Sequence, residues 1–116
     1  MPHFILDCTE KILENHSEER ILEQVHKTAN ATGIFREKDI KVRLNVYRKF
    51  LAGGGKEDFI HVFAYIMSGR NTDQKAALSK AIVQKLSTMF PDIPRIAMNV
   101  AEFEKSTYFS RDMMEI

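Results

Sequence analysis

The second residue of the chain, Pro2, carries a nitrogen that is chemically idle in one covalent state and basic in another. Within a chain, a proline nitrogen is a tertiary amide with no N–H. If Met1 is removed, which the small penultimate residue permits, that nitrogen becomes a secondary amine able to take up a proton. Taken alone, Pro2 reads more simply as the start of a strand, where a proline need not donate to the ladder. A second set of candidates lies in IKVRLNVYR, residues 40–48, which alternates strictly. Ile40, Val42, Leu44 and Val46 take one face and Lys41, Arg43, Asn45 and Tyr47 the other. One strand face therefore offers two cations and an amide to an acidic substrate. Arg43 can hold a carboxylate through two parallel hydrogen bonds, and Lys41 supplies a point charge. The rival reading of this alternation is a solvated strand face.

Other reactive residue types fit chemistry less well. Cys8 ends an apolar first segment with no base beside it and reads as core. His3, His16, His26 and His61 form no ligand spacing of the metal-site kind and read as structural, so no metal is expected. Gly53, Gly54 and Gly55 lack the Lys-Ser/Thr pair of a phosphate loop and open no helix. Met113 and Met114 read as part of a docking tail.

The elements that must position these groups follow from hydrophobic period. PHFILDC, residues 2–8, reads as a buried strand. From Ser17, a good N-cap, apolar Ile21, Leu22, Val25 and Ala29 mark a helix to about residue 31, with Gly33 as its stop. The alternating strand comes next, then AGGGKED at 52–58 as a surface loop, and FIHVFAYIM as a third strand. Thr72 is expected to cap a second helix with Leu78, Ile82, Leu86 and Met89 on one stripe, ended by Phe90-Pro91. RIAMNVAEF is a fourth strand, and residues 105–116 read as a tail that folds only on a partner.

The order is strand, helix, strand, then the same again, with Pro2 matching Ile60, Ser17 matching Thr72 and Ile40 matching Ile96. One domain with an internal duplication, residues 2–48 and 59–104, is expected. Each half is a βαβ unit whose two strands should be parallel. Together they predict an α+β fold, a four-stranded sheet with both helices on one face. The uncovered apolar face predicts burial against further copies of the chain.

Composition narrows the partners. Seventeen basic residues stand against 16 acidic ones, so no net field favours nucleic acid or a membrane surface. No apolar run approaches the roughly 20 residues of a membrane span. One cysteine excludes an intramolecular disulfide, and the first fifteen residues show no secretory pattern, so a cytoplasmic protein is expected.

With the order in place, four segments resemble the tautomerase superfamily, and within it the 5-carboxymethyl-2-hydroxymuconate isomerases. They are MPHFILDC at the start, ATGIF at 31–35, IKVR at 40–43 and SGRNTDQKAAL at 68–78. The last is similar to the segment after the first strand of the short 4-oxalocrotonate tautomerases. The resemblance implies a trimer, an N-terminal proline as general base, and no metal or organic cofactor. It also implies an acidic small-molecule substrate, a carboxylated hydroxymuconate from aromatic-acid breakdown. Arg70 matches a substrate-binding arginine of the short tautomerases and could serve a neighbouring subunit's site. Lys41 stands where the family has a second arginine.

On that basis Pro2 would lift a proton beside a carbonyl and return it further along the conjugated system, with Arg43, Lys41 and Arg70 holding the acidic substrate. An apolar pocket around Phe4 and Phe35 would lower the amine's pKa from its usual value near 8. Two rivals keep the fold: a non-catalytic trimeric interaction protein, which a retained Met1 would favour, and a hydratase or decarboxylase using the same proline.

Overall fold

The structure, a computed structural model, describes residues 1–115; Ile116, the end of the expected tail, lies outside the described residues. Strand β1 spans His3–Thr9, helix α1 Glu18–Ala31, strand β2 Lys41–Tyr47, strand β3 Phe59–Met67, helix α2 Thr72–Met89 and strand β4 Arg95–Phe103. The last two strands fall where the apolar patterns put them. The first begins one residue later than expected, because Pro2 has no N–H for the ladder. Its carbonyl still accepts the Lys41 N–H at 3.1 Å, which ties the entry of β1 to that of β2.

Both helices begin on side-chain caps. Ser17 accepts the N–H of Arg20, and Glu18 and Glu19 sit in the first turn of α1, where negative charge is favoured. The cap of α2 is Asn71 and not Thr72. Its side chain accepts from the Gln74 N–H while the Gln74 side chain accepts from the Asn71 N–H. This reciprocal pair satisfies two donors at once, which a Thr72 cap one residue later would leave open. Helix α1 ends at Ala31 with Thr32 as its C-cap, and Gly33 takes φ +74°, a left-handed exit that a side chain would strain.

The sheet order is β2-β1-β3-β4, parallel within each βαβ half and antiparallel at the central β1/β3 seam. That order puts four strand ends on one edge: His3 lies beside Lys41 on one side and Tyr65 on the other, and Tyr65 lies beside Ala101. The residues of the first strand therefore meet the turn after the third.

Alternation along the strands builds two unlike faces. Phe4, Leu6 and Cys8 of β1 and Ile60, Val62 and Ala64 of β3 are buried in one core with Ile21 and Val25 of α1 and Leu78, Ile82 and Leu86 of α2. Each such large side chain contributes about 1.5–3 kcal/mol by leaving water. The opposite face carries His3 and Ile5 with Phe63 and Tyr65, all half-buried, and no helix covers it.

The glycine loop makes a tight reversal in which Ala52 and Gly55 exchange backbone hydrogen bonds at 2.9 and 3.1 Å. Gly53 and Gly54 both take positive φ there, which explains the run. The C-terminal segment forms two short 3-10 turns, Lys105–Thr107 and Arg111–Met113, within the single chain. Tyr108 packs 5.9 Å from the Phe103 ring, and Phe109, Met113 and Met114 are exposed. No helix among the described residues is long and apolar enough to cross a membrane.

Candidate active site

Pro2 is buried at the shared edge, immediately before β1. Two residues on, Phe4 meets the ring of Phe35 edge to face at 6.0 Å. Phe35 reaches it because the helix exit at Gly33 turns the chain back over the start of the sheet. The ATGIF segment thus has a structural meaning: a helix end, a left-handed glycine, and an aromatic side chain delivered to the first strand.

Arg70 closes the same corner from the other half of the chain. Its guanidinium donates to the Ile34 carbonyl at 2.6 Å and lies 5.1 Å from the Phe35 ring centre. A cation over an aromatic face gains about 1 kcal/mol or more when partly desolvated. Arg70 was a candidate for a neighbouring subunit; in the structure it sits on its own chain's N-terminal corner. The antiparallel β1/β3 seam produces that placement, because it sets the end of β3 against the start of β1.

Lys41 approaches from β2. Its ammonium donates to the Asp39 carbonyl at 3.0 Å and to the Met1 sulfur at 3.4 Å. Arg36 also acts on this corner, paired with the Asp39 carboxylate through contacts of 2.9 and 3.4 Å. Three cations, Lys41, Arg70 and Arg36, therefore act on the Met1 amino group against one carboxylate, Asp39. The Met1 α-amino group is held below its ordinary pKa, first by burial, with Asp39 opposing and Lys41, Arg70 and Arg36 adding to the fall. Sequence reading missed Arg36 and Asp39, whose role depends on the fold of the 33–40 loop.

Arg43 shares the strand face of Lys41, two residues further along β2. It points to the open face, where Nη1 donates to His3 Nδ1 at 3.0 Å. Arg43, His3, Ile5, Tyr65 and Phe103 line a shallow cavity of about 390 Å³. Tyr65 and Phe103 went unnoticed in the sequence, although strand alternation places both on the face of His3. Asn45, expected to offer its amide to the substrate, instead donates to Asp7 at 3.2 Å. The structure thus ties Lys41 to Pro2 through the backbone, sets Arg70 against Ile34 and Phe35 at the N-terminal corner, and puts Arg43 two residues beyond Lys41 on the same strand face.

The remaining reactive groups stay structural. Cys8 is fully buried, and burial with the Asp7 and Glu18 charges pushes its thiol up to about 11, which removes the thiolate at neutral pH. His16 meets the Met89 carbonyl at 3.0 Å. A larger cavity of about 560 Å³ opens elsewhere, lined by Glu10, Glu14 and Asp58 with Lys11, Arg48 and Lys56. Its charges balance and it does not include the chain's N-terminal residues, so size alone does not make it the site.

Comparison with known proteins identifies the family and the fold. Residues 2–112 match the family described as 5-carboxymethyl-2-hydroxymuconate isomerase. The 5-carboxymethyl-2-hydroxymuconate Delta-isomerase of Escherichia coli is 26% identical over 106 residues, 90% of this chain and 84% of the relative. Among solved structures, a 5-carboxymethyl-2-hydroxymuconate isomerase from Deinococcus radiodurans R1 is similar with a TM-score of 0.82 at 19% identity, covering 95% of this chain and 88% of that one. A fused 4-OT, described as a wild type symmetric trimer, gives 0.79 at 15% identity over 95% and 92%. The family match takes in both βαβ units and the edge where the cations gather, so the chain belongs to the 5-carboxymethyl-2-hydroxymuconate isomerase family, as an isomerase of the tautomerase fold.

Proposed function

We propose that the chain, once Met1 is removed, is a cofactor-independent isomerase that uses the Pro2 amine as general base on an unsaturated, carboxylated keto acid. The observation that carries this reading is the gathering of Lys41 and Arg70 around the buried N-terminal corner. Their charge favours the neutral amine, which is the form that accepts a proton. It also favours an anionic substrate at that spot and the negative charge that grows on its carbonyl oxygen as the proton leaves. Removing Met1 would also free Lys41 from its contact with the methionine sulfur.

In the reaction the Pro2 nitrogen takes a proton from the carbon or enol oxygen beside the conjugated system, and the electron pair moves into a dienolate. The same proton returns at a more distant carbon, and the double bond has moved. Arg43 binds a carboxylate from the open face. The family and the Escherichia coli relative point to 5-carboxymethyl-2-hydroxymuconate as the type of substrate, and thus to aromatic-acid breakdown.

The test is made on protein from its native host. Intact-mass spectrometry should show loss of the Met1 residue, and the protein should ketonise 2-hydroxymuconate, with the product identified as the isomer rather than a hydrated or decarboxylated acid. A preparation that keeps Met1 and is equally active would rule out the Pro2 amine.

The uncovered sheet face supports a homotrimer. Phe59 and Phe63 are half-buried on it without a covering layer, outside the cavity at Arg43, and a fused 4-OT of the same fold is a symmetric trimer. Native mass spectrometry should give three times the chain mass; a monomer at micromolar concentration would overturn the assembly.

A further inference from the structure

Read from sequence, His3 is a structural histidine; in the structure its ring touches the cation that is to bind substrate. Nδ1 lies 3.0 Å from Arg43 Nη1, and the ring meets Phe103 edge to face at 5.9 Å. An arginine side chain has donors only, so this contact requires a lone pair on Nδ1. His3 is therefore neutral, with its proton on Nε2. Among the described residues, His3 is the only hydrogen-bond partner of the Arg43 guanidinium.

We propose that His3 is a positioning residue: its Nδ1 lone pair holds the Arg43 guanidinium over the cavity formed with Ile5, Tyr65 and Phe103, aimed at a substrate carboxylate. The proposal rests on the reading of Arg43 as a carboxylate anchor. Without the imidazole, Arg43 stands exposed on an edge strand and is free among its rotamers, and a bidentate grip depends on a fixed fork.

The surroundings keep the imidazole in the accepting state. From β2, Arg43 and Lys41 face it; from the chain's start, the Met1 amino group; from β3 and β4, the rings of Tyr65 and Phe103. None of the groups acting on it is a carboxylate, and burial, then Arg43, Lys41 and the amino group, all lower its pKa. Acidification through that lowered value puts a second positive charge against Arg43 and breaks the contact. Substrate affinity then falls while the base at Pro2 is a separate titration.

The contact can be read without substrate, which separates it from the role given to Pro2. In 15N NMR, the wild type should show the Nε2–H tautomer of His3, and Arg43→Gln should raise the His3 pKa. An Nδ1–H tautomer, or a His3 pKa unmoved by Arg43→Gln, would overturn the proposal. In steady-state assays, His3→Ala should raise KM about tenfold at neutral pH with kcat little changed, as expected when a charge-assisted hydrogen bond that orients a binding group is lost. His3→Asn, which retains an acceptor near the Nδ1 position and cannot titrate, should recover most of that loss and abolish the acid-side rise in KM seen in the wild type. A KM equal to wild type in His3→Ala, or an acid-side rise that persists in His3→Asn, would overturn it.

Discussion

Replacing Pro2 by alanine is expected to lower kcat/KM for enol ketonisation by about 10²- to 10⁴-fold, the range that a positioned acid–base group supplies. The loss should fall mainly on kcat. Alanine at position 2 still permits removal of Met1, so a primary amine remains in the corner where Lys41 and Arg70 act on the Met1 amino group. Its freedom is greater, because the proline ring fixes φ and alanine does not. The variant is therefore a damaged base rather than an absent one, and residual activity is part of the expectation. Folding should be little affected: Pro2 contributes its carbonyl to the Lys41 N–H, which alanine also provides. Thermal unfolding near the wild-type temperature, together with a large drop in kcat, assigns the loss to chemistry. A kcat/KM within twofold of wild type would take Pro2 out of the reaction.

Much of this arrangement was legible from local pattern. Two-residue alternation put Lys41 and Arg43 on one strand face, and the helical stripe of Leu78, Ile82 and Leu86 is fully buried. The duplicated order correctly gave two parallel pairs. What stayed hidden depends on cross-strand register. Asn45 looked available until the β1/β2 pairing set it opposite Asp7, and His3 looked structural until the same pairing brought Arg43 within reach, 40 positions along the chain. Register is fixed by loop geometry and by which face must be buried, and neither is written in the strand itself. The cap of α2 was missed for a more local reason. Asn71 and Thr72 both rank as caps, and only the reach of Gln74 back to the Asn71 N–H decides between them.

Arg70 carries the second large expectation, because it acts on both the amine and the substrate. Only one of its five donors is used by the Ile34 carbonyl, so the others remain for a substrate oxygen. Replacement by alanine should lower kcat/KM at neutral pH by about 10²- to 10³-fold, comparable with the loss of a donor to a developing oxyanion. It should also displace the pH profile in a defined direction. The Arg70 charge lowers the pKa of the Met1 amino group, and a Pro2 amine freed in the same corner should feel it in the same direction, so removing it is expected to raise that amine's pKa. At a given pH more of the amine is then protonated and less can act as base, and the acid limb of the kcat/KM profile moves to higher pH. Lysine at this position separates the two effects. It keeps the positive charge, so the acid limb should stay close to wild type, while the planar fork and the stacking on Phe35 are lost and kcat/KM remains depressed. An acid limb that does not move in Arg70→Ala would mean that this guanidinium does not tune the Pro2 amine, whatever its effect on rate.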